Sequence, residues 1–257
     1  MTLYNNAYST CSQKVRLVFA EKALAFEDRQ IIFKNNEHLA PEYLKLNPNG
    51  VVPTLVHDGA VILDSSVIME YVDEVYREPA MVPRDAVGRA HLRKWLRYFE
   101  EVATVAVRYP SFNQAFVTRY AGLSDDAFAS AAAARPLRKR FYQRMGRAGF
   151  DEADLLSAYE GFRQTAARMD AALAGSAWLL GGAQPSIADC CVAPLYDRMD
   201  DLGHAYLWAE APRVAEWLRR KRMRPSWSAT FYPGARLSEL YADLQARRRP
   251  LDDLVVC

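Results

Sequence analysis

"VPTLVHDGAVIL", residues 52–63, is the stretch that decides the fold. Two β-rich runs flank Asp58-Gly59, a pair suited to a two-residue hairpin turn whose central positions both need φ > 0. The spacing predicts a hairpin. Its second arm leads into "SSVIMEYVDEVY" (65–76), where apolar residues return at helical intervals and Ser65 is a natural N-cap candidate. Upstream, "TLYN" (2–5) reads as a strand. A helix follows over roughly 11–24, with Val15, Val18 and Phe19 on one face, and "EDRQIIF" (27–33) reads as a second strand. The order βαβ, then ββα, describes a small mixed sheet flanked by helices.

Downstream the pattern changes. "REPAMVPRDA" (77–86) carries two prolines that interrupt helical periodicity, so it reads as a linker. Four helical runs follow: "GRAHLRKWLRYFEEVATVAVRY" (88–109), "ADLLSAYEGFRQTAARMDAALA" (153–174), "SIADCCVAPLYDRMDDL" (186–202) and "APRVAEWLRRKRM" (211–223). "AFASAAAARPLRKRFYQRMGRAGF" (127–150) reads as partly helical and otherwise a long connection, of the kind that often carries function. The expected class is α/β plus all-α, with a sheet domain over 1–78, a linker over 79–86 and a helical domain over 87–257.

Composition narrows the function. Hydrophobic residues make up 51% and charged residues 25% of the 257, as in globular proteins that are not membrane-embedded. No run of about 18 apolar residues is present to span a bilayer. The N-terminus has neither the basic nor the apolar region of a signal peptide, so a reducing cytoplasm is expected. A net charge of +2 points to neither nucleic acid nor an anionic membrane, and the basic runs at 219–224 and 247–249 read as solvated helix faces. Cys11, Cys190, Cys191 and Cys257 show no disulfide or zinc spacing, so no metal is expected, and Cys11 has no C-x-x-C partner.

Three places carry candidate chemistry, each with a plainer reading beside it. Pro53 opens a strand, as an edge proline can; a cis Val52-Pro53 bond would instead turn the Val52 backbone outward to pair with an extended ligand. Ser65 and Asp64 suit a helix start, where a serine caps and a carboxylate faces the positive helix end. The same groups with the free N–H donors behind them suit a ligand carboxylate, and Asp64 an ammonium group. The third is "YSTCSQKVRL" (8–17). At a helix N-terminus among hydroxyl donors, a bound thiol falls from a pKa of about 8.5 to roughly 3.5–7.5. Ser9 has no histidine nearby in sequence to make it a nucleophile, so it reads as a donor to a thiolate. Cys11 reads either as a second reactive thiol or as a small buried residue.

Taken in order, these motifs resemble the cytosolic glutathione transferases over nearly the whole chain. The Ser-x-Cys at the first helix, "NPNGVVPTL" (47–55), "DSSVIMEY" (64–71) and "SIADCCVAP" (186–194) carry the resemblance. Ser186 and Asp189 have the spacing of a reciprocal helix cap, which is structural. The resemblance implies a thioredoxin-like N-terminal domain, glutathione as cosubstrate, a hydrophobic electrophile and a homodimer. On this sequence it implies that Ser9 activates the thiolate and that Val52, before a cis Pro53, pairs its backbone with the cysteinyl unit. Asp64 and Ser65 would hold the γ-glutamyl end, with His38, Lys34 or Asn36 near the glycyl end.

Branch features differ between the two halves. "YSTCSQKVRL" resembles the zeta class, which includes maleylacetoacetate isomerases and tetrachlorohydroquinone reductive dehalogenases, although Gln13 and Val51 replace that pattern's usual Trp and Gln. "WLRYFEEV" and the segment 135–162 resemble bacterial glutathione-dependent β-aryl etherases acting on lignin fragments. Tyr8, Tyr109, Phe112 and Phe116, with Phe141 and Tyr142, are the candidate walls of an aromatic pocket; burial in the core is their other reading. Ether cleavage, with Ser9 donating a hydrogen bond to the glutathione thiolate, is the leading expectation, and dehalogenation through Cys11 or isomerisation the alternatives. A glutathione-binding carrier or assembly subunit without catalysis is the alternative of another class.

Overall fold

The computed structural model describes residues 1–248; Cys257 and Arg249 lie outside the described residues. Strand β1 (Thr2–Asn5) leads through the loop 6–9 into helix α1 (Thr10–Glu21), and β2 (Glu27–Gln30) returns parallel to β1. The strand expected over 27–33 stops at Gln30, because Phe33–Asn35 turns into a short 3₁₀ helix that starts the walls of a cavity. Helix α2 (Pro41–Leu46) precedes the hairpin of β3 (Thr54–His57) and β4 (Ala60–Leu63). Asp58 and Gly59 take φ of 49° and 81°, the paired positive angles that the Asp-Gly turn predicts. The sheet order is β2-β1-β3-β4, with β3 antiparallel to both its neighbours.

Helix α3 (Ser65–Val75) follows β4 directly. Its N-cap is Asp64, not Ser65: the Asp64 carboxylate accepts from the N–H groups of Ser66 and Val67, which places Ser65 at the first helical position. A carboxylate accepts both donors more strongly than a hydroxyl, which explains the one-residue shift.

The helical half starts with α4 (Ala86–Tyr98), passes through a π turn (Phe99–Ala103) into α5 (Thr104–Ser111), and ends in a second π turn (Phe112–Phe116). Pro110 lacks the N–H for regular pairing just before that second turn. Short helices α6 (Asp125–Ala133) and α7 (Lys139–Met145) form the connection that the sequence left partly helical. The bundle is completed by α8 (Glu152–Ala172), α9 (Ile187–Asp201), α10 (Pro212–Arg222) and α11 (Pro225–Thr230). The Ser186–Asp189 reciprocal cap is present at α9, and the Asp189 carboxylate also accepts from the Leu179 N–H and the Trp217 indole. No described helix is long and apolar enough to cross a membrane.

One hydrophobic core runs through both halves, from Leu3, Val18 and Leu55 to Tyr196 and Trp217. Helix α1 is its centre, and its residues Ser12 to Phe19 are all buried. The apolar face packs on the sheet, so the polar face is buried against the bundle, where Gln13, Lys14 and Arg16 all find partners and only the Arg16 Nε is left without one among the described residues. Gln13 donates to the Ala235 carbonyl at 2.8 Å, Lys14 to Glu100 at 2.6 Å and Thr104 at 3.0 Å, and Arg16 to Asn5, Ala7 and Thr230.

The basic run 219–224 departs from its expectation. Lys221 is fully buried and donates to Glu21 of α1 at 2.6 Å, and Arg224 grips the same carboxylate at 2.8 Å. Only part of that run is a solvated face; the rest ties α10 and α11 to the sheet half.

Candidate active site

The loop that carries Ser9 is fixed before any ligand arrives. Asn6 donates to the Ile31 carbonyl at 3.0 Å, and its own side-chain oxygen accepts from the Tyr8 N–H. Arg16 holds the Asn6 and Ala7 carbonyls from below, and Arg198 of α9 donates to the Tyr8 carbonyl. Ser9 is thereby set as the N-cap of α1 and accepts from the Ser12 N–H at 3.4 Å, which leaves its hydroxyl proton free to donate. Cap and thiolate donor are therefore compatible roles. Cys11 sits two residues further on, in the first turn, half-buried.

The corner before β3 is clamped by α2. The Tyr43 hydroxyl donates to the Val51 carbonyl at 2.6 Å, and Asn47 donates to the same oxygen at 2.9 Å and to Thr54 at 2.9 Å. The Val52-Pro53 bond is cis. Val52 is 7% exposed, yet among the described residues neither its N–H nor its carbonyl enters a hydrogen bond. Buried backbone groups are almost always paired, so an unpaired pair beside a cavity fits an extended peptide ligand. Hairpin register brings the other grips alongside: Thr54 faces Leu63, so Pro53 and Asp64 are next in line across the strands. Asp64 holds φ at 71°, a costly angle for a residue with a side chain, and that places its carboxylate over the start of α3.

Ser9, Cys11, Val52 and His38 all line one cavity of about 1190 Å³ between the sheet half and the helical half. Tyr8, Phe112 and Phe116 line it too; Tyr109 does not, since its ring packs on Phe150 at 4.3 Å and on Phe141. Pro53, Asp64 and Ser65 stand outside its lining, next to Val52 in chain or register. His38 is held down at about 4 by burial, with Arg135 beside it, so its imidazole is neutral at pH 7. Its Nδ1 is buried without a partner.

Family models decide what this geometry belongs to. The model described as "Glutathione S-transferase, N-terminal domain" matches residues 8–75, and "Glutathione S-transferase, C-terminal domain" matches 125–220. The chain belongs to the glutathione S-transferase family. Glutathione is this family's cosubstrate, and the unpaired Val52 backbone and the Ser9 hydroxyl are a fit for its peptide and its thiol. Among curated relatives, "Glutathione S-transferase 1" of Dianthus caryophyllus is 43% identical over 90 residues, which is 35% of this chain and 41% of that protein. "Glutathione S-transferase TCHQD" of Arabidopsis thaliana is 25% identical over 88% of each chain. "Protein LigF" of Sphingobium sp. is 27% identical over 90% of this chain and 93% of that protein. The crystal structure of beta-etherase LigF superposes with a TM-score of 0.79 at 26% identity, covering 90% of this chain and 99% of that one.

This glutathione S-transferase has wall residues that its sequence did not single out. Phe33, Tyr120 and Tyr241 add rings, and Arg108, Arg119, Arg135, Arg138 and Arg198 add charge. Arg135 and Arg138 are three apart in "RPLRKRF", a spacing that puts both on one side of a turn; that was the available signal. Tyr8 bridges the halves, with its ring centroid 5.9 Å from Phe33 and 6.0 Å from Phe116.

Proposed function

We propose that this chain is a glutathione-dependent transferase whose bound thiolate attacks an aromatic electrophile, with β-aryl ether cleavage as its chemistry. The observation that carries the reading is that the Ser9 hydroxyl and the unpaired Val52 backbone open on one cavity walled by Tyr8, Phe33, Phe112 and Phe116. In this reading residues 1–78 bind glutathione, with Asp64 and Ser65 at its γ-glutamyl end and His38 towards its glycyl end, and the helical half shapes the second pocket. The Ser9 O–H and the N-terminal end of α1 stabilise the thiolate, which lowers the thiol pKa without a covalent enzyme intermediate. The thiolate forms a C–S bond at the carbon beside the ether oxygen. The C–O bond breaks, and the aryloxide leaves with the electron pair and takes a proton from water. The likeness to LigF, whose structure is described as a beta-etherase, supports the choice of bond.

Cys11 on the same wall favours a second reading, reductive dehalogenation. There the Cys11 thiolate attacks the sulfur of an aryl–glutathione conjugate, the aryl carbon leaves with the electron pair and is protonated, and a second glutathione reduces the mixed disulfide. Incubation with glutathione and a panel of β-aryl ethers, halogenated hydroquinones and maleylacetoacetate, read by mass spectrometry, separates these chemistries. A glutathione thioether with a free phenol is the expected product. Isothermal titration without glutathione binding at millimolar concentration refutes the whole reading, whereas binding without turnover of any compound in the panel leaves the carrier or assembly role.

A further inference from the structure

The cavity's charge is one-sided. No Asp or Glu is among its lining residues, although five arginines and Lys34 are. Some of these cations are already used: Arg198 donates to the Tyr8 carbonyl beside Asp197 and Asp201, and Arg119 donates to the Tyr241 hydroxyl. Arg135 donates to Tyr120, lies over the Tyr142 ring at 4.4 Å and faces His38, so its guanidinium is already in use.

Arg108 and Arg138 are different. Neither guanidinium has a hydrogen bond or an ion pair among the described residues, and both residues are half-buried. Burial, and then Arg138 beside it, pulls Arg108 down to about 10, while Cys11, Glu100 and Tyr109 act the other way. Two unpartnered like charges on the wall of one cavity raise the energy of the empty site, and an anion placed between them relieves it. Ser111, one turn after Arg108, does not compete, because its hydroxyl donates to the Val107 carbonyl at 2.6 Å. Phe112 and Tyr142, with ring centroids 5.6 Å apart at 88°, supply an apolar wall next to the pair.

Building on the transferase reading above, we propose that the second substrate is an aromatic carboxylate, with its acid group between Arg108 and Arg138 and its ring against Phe112 and Tyr142. A planar guanidinium matches a carboxylate in a two-point contact, so both affinity and ring orientation follow from the acid. Glutathione's own carboxylates are spoken for elsewhere in that reading, at Ser65 and near His38.

The test compares a para-chloro-dinitrobenzoate with its methyl ester, each conjugated with glutathione and corrected for the uncatalysed rate. In both, the thiolate forms a C–S bond and chloride leaves with the electron pair. The wild type is expected to favour the acid by about tenfold or more in kcat/KM, as for one charged contact. Arg108→Gln and Arg138→Gln are each expected to erase that preference, and Arg108→Lys to restore part of it. Equal turnover of acid and ester by the wild type overturns the proposal. So does a loss in Arg108→Gln that is the same for both acceptors, or an equal loss of glutathione affinity by titration. Titration with the unreactive dinitrobenzoate and its ester decides the anion site even without turnover: equal binding overturns it, and a preference for the acid that vanishes in Arg108→Gln supports it. Failure of both acceptors to react, with the acid still preferred in binding, counts against the transferase reading alone.

Discussion

Glu21→Gln tests the joint between the two halves. The Glu21 carboxylate is 5% exposed and accepts from Lys221 at 2.6 Å, Arg224 at 2.8 and 2.9 Å and Ser226 at 2.7 Å. Burial alone would push its pKa up, but Arg224, Lys221 and Ser226 outweigh it and hold the group at about 2 against an ordinary 4.5. At 1.36 kcal/mol per unit that difference is about 3 kcal/mol of stability. Glutamine leaves the fully buried Lys221 ammonium without its counter-ion, and breaking such a pair costs about 3–5 kcal/mol. Because the folded pKa lies below the unfolded one, the contribution is complete above about pH 4.5 and is lost as pH falls towards 2. Urea unfolding of wild type and variant between pH 7 and pH 3 measures it. The gap is expected to be about 3–5 kcal/mol at neutral pH and to narrow below pH 4.5. A gap that stays constant over that window, or one under about 1 kcal/mol at pH 7, refutes the reasoning.

Other expectations are local. Ser9→Ala is expected to raise the pKa of the bound glutathione thiol by about one unit or more and to cut kcat/KM about tenfold near neutral pH; a thiolate absorbance titration reads the first. Cys11→Ser is expected to spare ether cleavage and abolish reductive dehalogenation, and product analysis that shows loss of both contradicts the division drawn between them. Asp189→Asn replaces an acceptor that serves Leu179, Ser186 and Trp217 with a competing donor. About 3 kcal/mol is expected to be lost, a fall of roughly 6–12 °C in Tm by calorimetry.

What the sequence disclosed depended on how local the cause was. Asp58-Gly59 announced its hairpin because the required angles belong to those two residues alone. The Ser186–Asp189 cap was legible for the same reason: donor and acceptor lie three residues apart. Thr10–Glu21 was legible as a helix but not as a two-sided one, since the partners of Gln13, Lys14 and Arg16 arrive from Ala235, Glu100 and Thr230. Lys221 was misread as solvated because its carboxylate is 200 residues away. The site divides in the same way. Ser9, Val52 and the hydroxyl–acid pair at 64–65 stand in short motifs, whereas Arg108 and Arg138 share a cavity only after α5 and the start of α7 have been packed together.

The double burial of α1 has a consequence for engineering. Its first turn faces the cavity, while its middle residues are anchored in the bundle, so the helical half sets where Ser9 stands. A chimera that keeps residues 1–78 and takes its bundle from a relative would inherit the Ser9 motif intact and still misplace it, unless partners for Gln13, Lys14 and Arg16 travel with the graft.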